Sequence, residues 1–277
     1  MFLQQDIRLD ARSFLHARDI SINRGCFSSA DGSAMVKVGR TVVAAGINLS
    51  VVCPSASRGA EGIVRVTVEF GPACSSRFQH FRYRKANLKA QALSAHLTRV
   101  INEARVVDLS ALVMKEDAAV WVVDVHVTCL NHGGNLEDAS MLAVLSALVD
   151  TKLPAVEMKE NDVMAEVEGD SVPLVIQSFP ISHTFALFDF GDVPVKVLVD
   201  PTDEEEKHCH SIVSVILDVQ RGAEKEEEHA FFLNKSGGLP VSRKLLQQVI
   251  SEARKRTEAI LNKFFPEQST LPMDSSK

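Results

Sequence analysis

Ala34-Met35-Val36-Lys37-Val38-Gly39-Arg40-Thr41-Val42-Val43-Ala44-Ala45 reads as two strands joined by a tight turn. Ala34, Val36 and Val38 alternate with Met35 and Lys37, the two-residue period of a strand with one buried face. Gly39-Arg40 supplies the turn, and Thr41–Val52 continues in β-branched and small residues. Outward from this hairpin, residues 18–23 read as a preceding strand, with Asp31-Gly32 as a turn signal between them. Ile63–Phe70 alternates in the same way. Asn87–Ala104 then switches period: Leu93, Leu97, Val100, Ile101 and Ala104 form one helical stripe. Ala118–Leu130 is almost continuously apolar, the pattern of a strand covered on both faces. Asp138–Val149 reads as an apolar helix ending near Pro154.

The acidic stretch Val156–Val172 reads as a short strand pair or a connector, and after it the strand signal returns at Leu174–Gln177, His183–Phe188, Val193–Val199, Ser211–Val219 and His229–Leu233. The last helix is Ser242–Phe264, with Ser242 as N-cap and Leu245, Val249, Ala253, Ile260 and Leu261 on its apolar side. Strands followed by helices, twice over, give an α+β architecture of two similar halves. The expected division is 1–160, 161–265 and a polar tail, 266–277.

The composition, 45% hydrophobic and 24% charged over 277 residues, excludes a mostly disordered chain. No apolar run is long enough to span a bilayer, and the N-terminal residues do not read as a secretory leader. Cys26, Cys53, Cys74, Cys129 and Cys209 are odd in number and contain no C-x-x-C pair. That pattern predicts free thiols in a reducing compartment rather than a disulfide framework or zinc module.

Charge is unevenly placed. The net value is −6, yet residues 1–115 hold 16 Lys/Arg against 8 Asp/Glu, a balance of +8, and residues 116–277 hold 14 against 28, a balance of −14. The densest basic run, Arg77-Phe78-Gln79-His80-Phe81-Arg82-Tyr83-Arg84-Lys85, interleaves cations with aromatics. Such a run suits a single nucleic-acid strand, with phosphates neutralised and bases stacked; it equally suits a solvated loop with local packing. Arg77, Arg82, Arg84 and Lys85 are the RNA-binding candidates. Asp203-Glu204-Glu205-Glu206 could hold a divalent cation through oxygens but reads more simply as a solvated acidic loop. Glu224–Glu228 reads as a solvated turn. His208-Cys209-His210 would place two imidazoles on one face of a strand, without a third and fourth ligand. No metal and no cofactor is expected.

Four segments in order resemble the RNase PH family: Arg8-Leu9-Asp10-Ala11-Arg12; Ala30-Asp31-Gly32-Ser33-Ala34-Met35-Val36-Lys37-Val38-Gly39-Arg40-Thr41; Gly133-Gly134-Asn135-Leu136-Glu137-Asp138-Ala139; and Val199-Asp200-Pro201-Thr202-Asp203-Glu204-Glu205-Glu206. The first departs from the family's Arg-x-Asp-Gly-Arg at Ala11. The resemblance spans residues 6–262. It implies the RNase PH fold, two βαβα-type halves of the ribosomal protein S5 domain 2-like kind, and a hexameric ring of such subunits.

Active members of that family cleave RNA from its 3′ end with phosphate as nucleophile. The resemblance implies a phosphate pocket at a Gly-Gly-Thr-Arg turn opening a helix. This chain has Gly134-Asn135-Leu136-Glu137 there, so a carboxylate stands at the arginine position. At about 4 Å from a phosphate charge it would repel by about 4 kcal/mol at an effective dielectric near 20. Asp200 matches the first catalytic aspartate, and Glu206 stands at the second. Glu137, Asp200 and Glu206 are therefore degenerate positions, and no catalytic residue is expected.

The implied role is a non-catalytic ring subunit of the RNA exosome core. Implied partners are other RNase PH-like ring subunits, S1/KH-type cap subunits, an associated exoribonuclease and RNA, with no membrane. The implied work is ribosomal-RNA maturation and messenger-RNA decay, in nucleus, nucleolus and cytoplasm. The alternative is an active phosphate-dependent 3′→5′ exoribonuclease.

Overall fold

The structure, a computed structural model, describes residues 2–5, 7–53, 61–71, 74–75, 84–115, 119–158, 164–166, 171–191, 194–218 and 229–266. The chain divides into two compact units, Asp19–Phe179, and Met1–Arg18 with Pro180–Lys277. The expected halves, 1–160 and 161–265, differ from these units at both ends. The first 18 residues join the C-terminal unit, where Leu3, Phe14 and Ala17 pack on its sheet. The segment up to Phe179 stays with the first unit, tied there by Leu174 N–H on Thr151 O at 3.0 Å and Gln177 N–H on Val106 O at 2.8 Å.

In the first unit, β1 (Ile20–Arg24), β2 (Gly32–Val38) and β3 (Thr41–Val52) form an antiparallel meander. Gly39, at φ 55°, makes the two-residue turn between β2 and β3. Asp31-Gly32 lies not in a tight turn but at the end of the loop between β1 and β2. β4 (Ile63–Phe70) has the expected bounds and is followed by α1 (Arg84–Glu103). The helix begins three residues before the expected Asn87, taking Arg84 and Lys85 out of the basic loop.

β5 (Val113–Lys115) pairs with β6 (Ala119–Asn131), and the sheet order is β1-β2-β3-β6-β4, with β4 parallel to β6. The expectation that this apolar strand is covered on both faces holds only for its first half. Asp124, Thr128 and the exposed His126 and Leu130 alternate with buried Val125, Val127 and Cys129 along the rest. The polar residues there lie on the open face.

α2 (Leu136–Asp150) is buried almost all round: Ala139, Met141, Ala143, Val144, Leu145, Ala147 and Leu148 have no exposed surface. A helix apolar on every side is stable only inside a core. It approaches β2 so closely that a Cβ at Gly32 would lie 2.1 Å from Thr151 Oγ1. β7 (Lys152–Leu153) pairs with β10 (Val172–Pro173), and β8 (Val156–Met158) with β9 (Met164–Glu166), the expected short pair. The expected strand at 174–177 is absent; among those residues a single bridge joins Ile176 to Val107.

In the second unit, β11 (Ile181–Phe188), β12 (Lys196–Val199), β13 (Ser211–Asp218) and β14 (His229–Gly237) form an antiparallel sheet in the order β12-β11-β13-β14. Phe185, Leu187, Val199, Val213 and Val215 face one core cluster with Val249 and Ala253 of α4 (Arg243–Phe264). Ala186, Phe188 and Leu198 face the other side, against Leu3 and Phe14. Ser242 caps α4 as expected, accepting from Leu245 N–H at 3.2 Å. Between β12 and β13 lies a helix that the sequence reading treats as a loop, α3 (Asp203–His208). The acidic turn at 224–228 and the tail beyond Pro266 lie outside the described residues. No described helix is long and apolar enough to cross a membrane.

Candidate functional site

The turn from β6 into α2 carries the first group of candidates. Gly134 has φ 96° and Asn135 φ 54°, so the chain reverses sharply through the left-handed region before the helix starts. The turn is stitched to β3: Thr41 Oγ1 donates to Gly134 O at 2.6 Å and accepts from Gly133 N–H at 3.2 Å. Gly134 N–H donates to His132 Nδ1 at 3.2 Å. An anion bound at such a turn would need backbone N–H donors; here these two are already engaged.

The first turn of α2 adds two carboxylates. Glu137 Oε1 lies 3.1 Å from His96 Nε2 on α1, with both side chains about one-fifth exposed. Asp138 is buried and accepts from Asn135 Nδ2 at 2.7 Å. The acids take up the positive end of the helix dipole that would otherwise attract phosphate. Leu136, at the hydroxyl position of the turn, is a core residue with 4% exposure.

Asp200 belongs to the second unit and is 1% exposed, with φ 51°. Its carboxylate is gripped by arginines from the N-terminal segment. Arg18 donates from Nη2 to Oδ1 at 2.6 Å and from Nε to Oδ2 at 2.8 Å, and its backbone N–H reaches Oδ2 at 2.9 Å. Arg12 Nη1 adds a contact to Oδ2 at 3.3 Å. Two guanidiniums thus supply the positive charge around this aspartate. The position matched to a catalytic carboxylate is an internal counter-ion.

The acidic run that follows is not a solvated loop. Thr202 and Glu205 form a reciprocal capping box that starts α3. Glu205 is 3% exposed and also accepts a fork from fully buried Arg8, Nε to Oε1 at 2.8 Å and Nη2 to Oε2 at 2.6 Å. Asp203 is paired with Lys207 at 3.0 Å, and Glu204 also contacts that lysine. Glu206 follows on the same short helix, with its carbonyl oxygen accepting from Cys209 Sγ at 3.3 Å. Burial, with Glu206 beside it, raises the Cys209 thiol pKa.

Nothing local to Arg8, Arg12 or Arg18 marks these roles, because their carboxylate partners lie 197, 188 and 182 residues away. The Thr202-x-x-Glu205 spacing is a capping signal that marks α3. His208-Cys209-His210 does not lie on a strand: His208 ends α3, Cys209 is its C-cap, and His210 Nδ1 accepts from Asp189 N–H at 3.2 Å. Among the basic-run candidates, Arg77 and Arg82 lie outside the described residues, and Arg84 and Lys85 form the start of α1. All five cysteines are thiols rather than disulfide partners.

The 3′ exoribonuclease family, domain 1, RNase PH, matches residues 16–154. The exosome complex component rrp43 of Schizosaccharomyces pombe is 30% identical over 254 residues, 92% of this chain and 89% of its own length. The chain belongs to the RNase PH family. The exosome complex component Rrp42 of Methanopyrus kandleri is another relative, 34% identical over 91% of this chain and 89% of its own length. A solved structure described as the Archaeoglobus fulgidus exosome with RNA bound to the active site aligns with a TM-score of 0.75 at 30% identity, covering 94% of each chain. Rice Rrp46 shares the RNase PH fold at 14% identity, with a TM-score of 0.63. The relatives and solved structures cover about nine-tenths of the chain and so extend into both units, whereas the family model ends at residue 154.

Proposed function

We propose that this chain is a non-catalytic subunit of an exosome core ring, holding neighbouring RNase PH-like subunits and RNA in place for 3′→5′ processing and degradation. The observation that carries the non-catalytic reading is Glu137, held against His96 on the first turn of α2. A phosphate entering that turn would meet a carboxylate where the family pattern has an arginine, and spent backbone donors beside it. Asp200, enclosed by Arg12 and Arg18, supports the same reading. Ring membership is supported by the relatives named above as exosome components.

The partners we assign beyond the ring are S1/KH-type cap subunits and an associated exoribonuclease. The pools are nuclear, nucleolar and cytoplasmic. Arg77, Arg82, Arg84 and Lys85 are the proposed RNA contacts. Native mass spectrometry of the endogenous complex captured through this chain tests the reading. It should return an assembly with other RNase PH-like chains and RNA-binding caps; a lone species of 30.3 kDa would overturn it.

A further inference from the structure

Among the described residues the first sheet ends at β4, which pairs with β6 on one side. An end strand turns alternate N–H and C=O groups away from its sheet, a template on which another chain can pair. Here two hydroxyls of α1 occupy three of those groups. Val66 N–H donates to Thr98 Oγ1 at 3.0 Å, and the same hydroxyl donates back to Val66 O at 3.2 Å. Val68 N–H donates to Ser94 Oγ at 2.7 Å, whose own hydrogen goes to Ala90 O at 2.8 Å.

The spacing is commensurate. Four residues of helix advance about 6.0 Å, and two residues of strand about 6.6 Å. Ser94 and Thr98 therefore meet Val68 and Val66 in turn, with helix and strand running in opposite directions. α1 itself lies along this edge, within hydrogen-bond reach of it. Ala90, Ser94, Ala95 and Thr98 are small, and a groove of about 840 Å³ stays open between β4 and α1. Val66 N–H and C=O and Val68 N–H are withdrawn by these hydrogen bonds.

We propose that Ser94 and Thr98 are an edge guard: their hydroxyls stand in for a missing strand and close β4 to pairing with a second copy of this chain. Neighbours of the proposed ring would then dock elsewhere than on this backbone edge. The test is the full-length Ser94→Ala/Thr98→Val variant, followed by residue-resolved amide exchange and sedimentation velocity. Exchange at Val66 and Val68 should rise about tenfold, the loss of one ordinary hydrogen bond each, and self-association should grow with concentration. Thr98→Ser, which keeps the hydroxyl, should behave as the parent. Unchanged exchange, or faster exchange in a protein that sediments as the parent does, overturns the proposal. If the double variant does not fold, Thr98→Val alone decides: exchange must accelerate at Val66 and not at Val68, and equal rates at both count against it.

Discussion

Arg18 and Asp200 form a two-point ion pair, Nη2 to Oδ1 at 2.6 Å and Nε to Oδ2 at 2.8 Å, at a carboxylate that is 1% exposed. The N-terminal segment thereby becomes part of the C-terminal unit. Removing one partner of a buried pair leaves the other charge uncompensated.

Asp200→Asn should therefore lower stability by about 3 kcal/mol. Glu103→Gln, which breaks only the exposed pair with Arg99 on α1, should cost under about 1 kcal/mol. Urea midpoints at matched pH give the comparison. An Asp200→Asn protein as stable as the parent would mean that the arginine contacts do not hold the segment.

Ala11 takes φ 60° in the Arg8–Arg12 segment, where the family pattern has glycine. The left-handed conformation costs a non-glycine residue about 1–2 kcal/mol, and a glycine returns about 0.4–1 kcal/mol of that as unfolded-state entropy. Ala11→Gly should then be neutral or stabilising by up to about 1.6 kcal/mol. Thermal and urea unfolding check the sign; an appreciable loss of stability would contradict it.

His183 is fully buried on β11 and bonds through Nε2 to Thr257 Oγ1 at 2.7 Å. That hydroxyl gives its hydrogen to Ala253 O at 3.0 Å, so Nε2 is the donor. Burial holds the pKa well below the usual histidine value, and the Arg256 charge pushes it the same way. The unfolded chain takes up the proton first, near pH 6.5. The stability this gives is present above pH 6.5 and is lost as pH falls toward the folded value. Urea midpoints of the parent should drop more steeply from pH 7.5 to pH 5 than those of His183→Gln. Parallel profiles would contradict the assignment.

Glu137→Arg should restore measurable phosphate binding by titration calorimetry without restoring turnover, because the Gly133 and Gly134 N–H groups remain engaged. Leu136 is best left in place, since its burial makes Leu136→Thr a core change costing about 1–3 kcal/mol. Phosphate binding by the parent that equals the variant's would contradict the electrostatic argument.

Local signals led to the right elements where a residue's neighbours in sequence set its structure. The alternation in Ile63–Phe70 gave β4 its bounds, Gly39 marked a turn and Ser242 a cap. Reading failed where the partner is distant. Glu205 looks solvated in an acidic run, but Arg8, 197 residues away, buries it. His96 meets Glu137 across 41 residues. The apolar run in β6 concealed that one face opens from Asp124 onward. At 174–177 the backbone N–H groups of Leu174 and Gln177 bond to loop carbonyls rather than to a neighbouring strand. At the site, the substitution of a carboxylate for a guanidinium was readable from the order of residues; the arginine clamp on Asp200 depends on the fold.

The most direct test of a non-catalytic role is incubation of the purified chain with single-stranded RNA, with and without inorganic phosphate, and chromatography for nucleoside diphosphates. No phosphate-dependent release is predicted. Release that appears when phosphate is added would contradict the account and assign the chain phosphorolytic activity of its own.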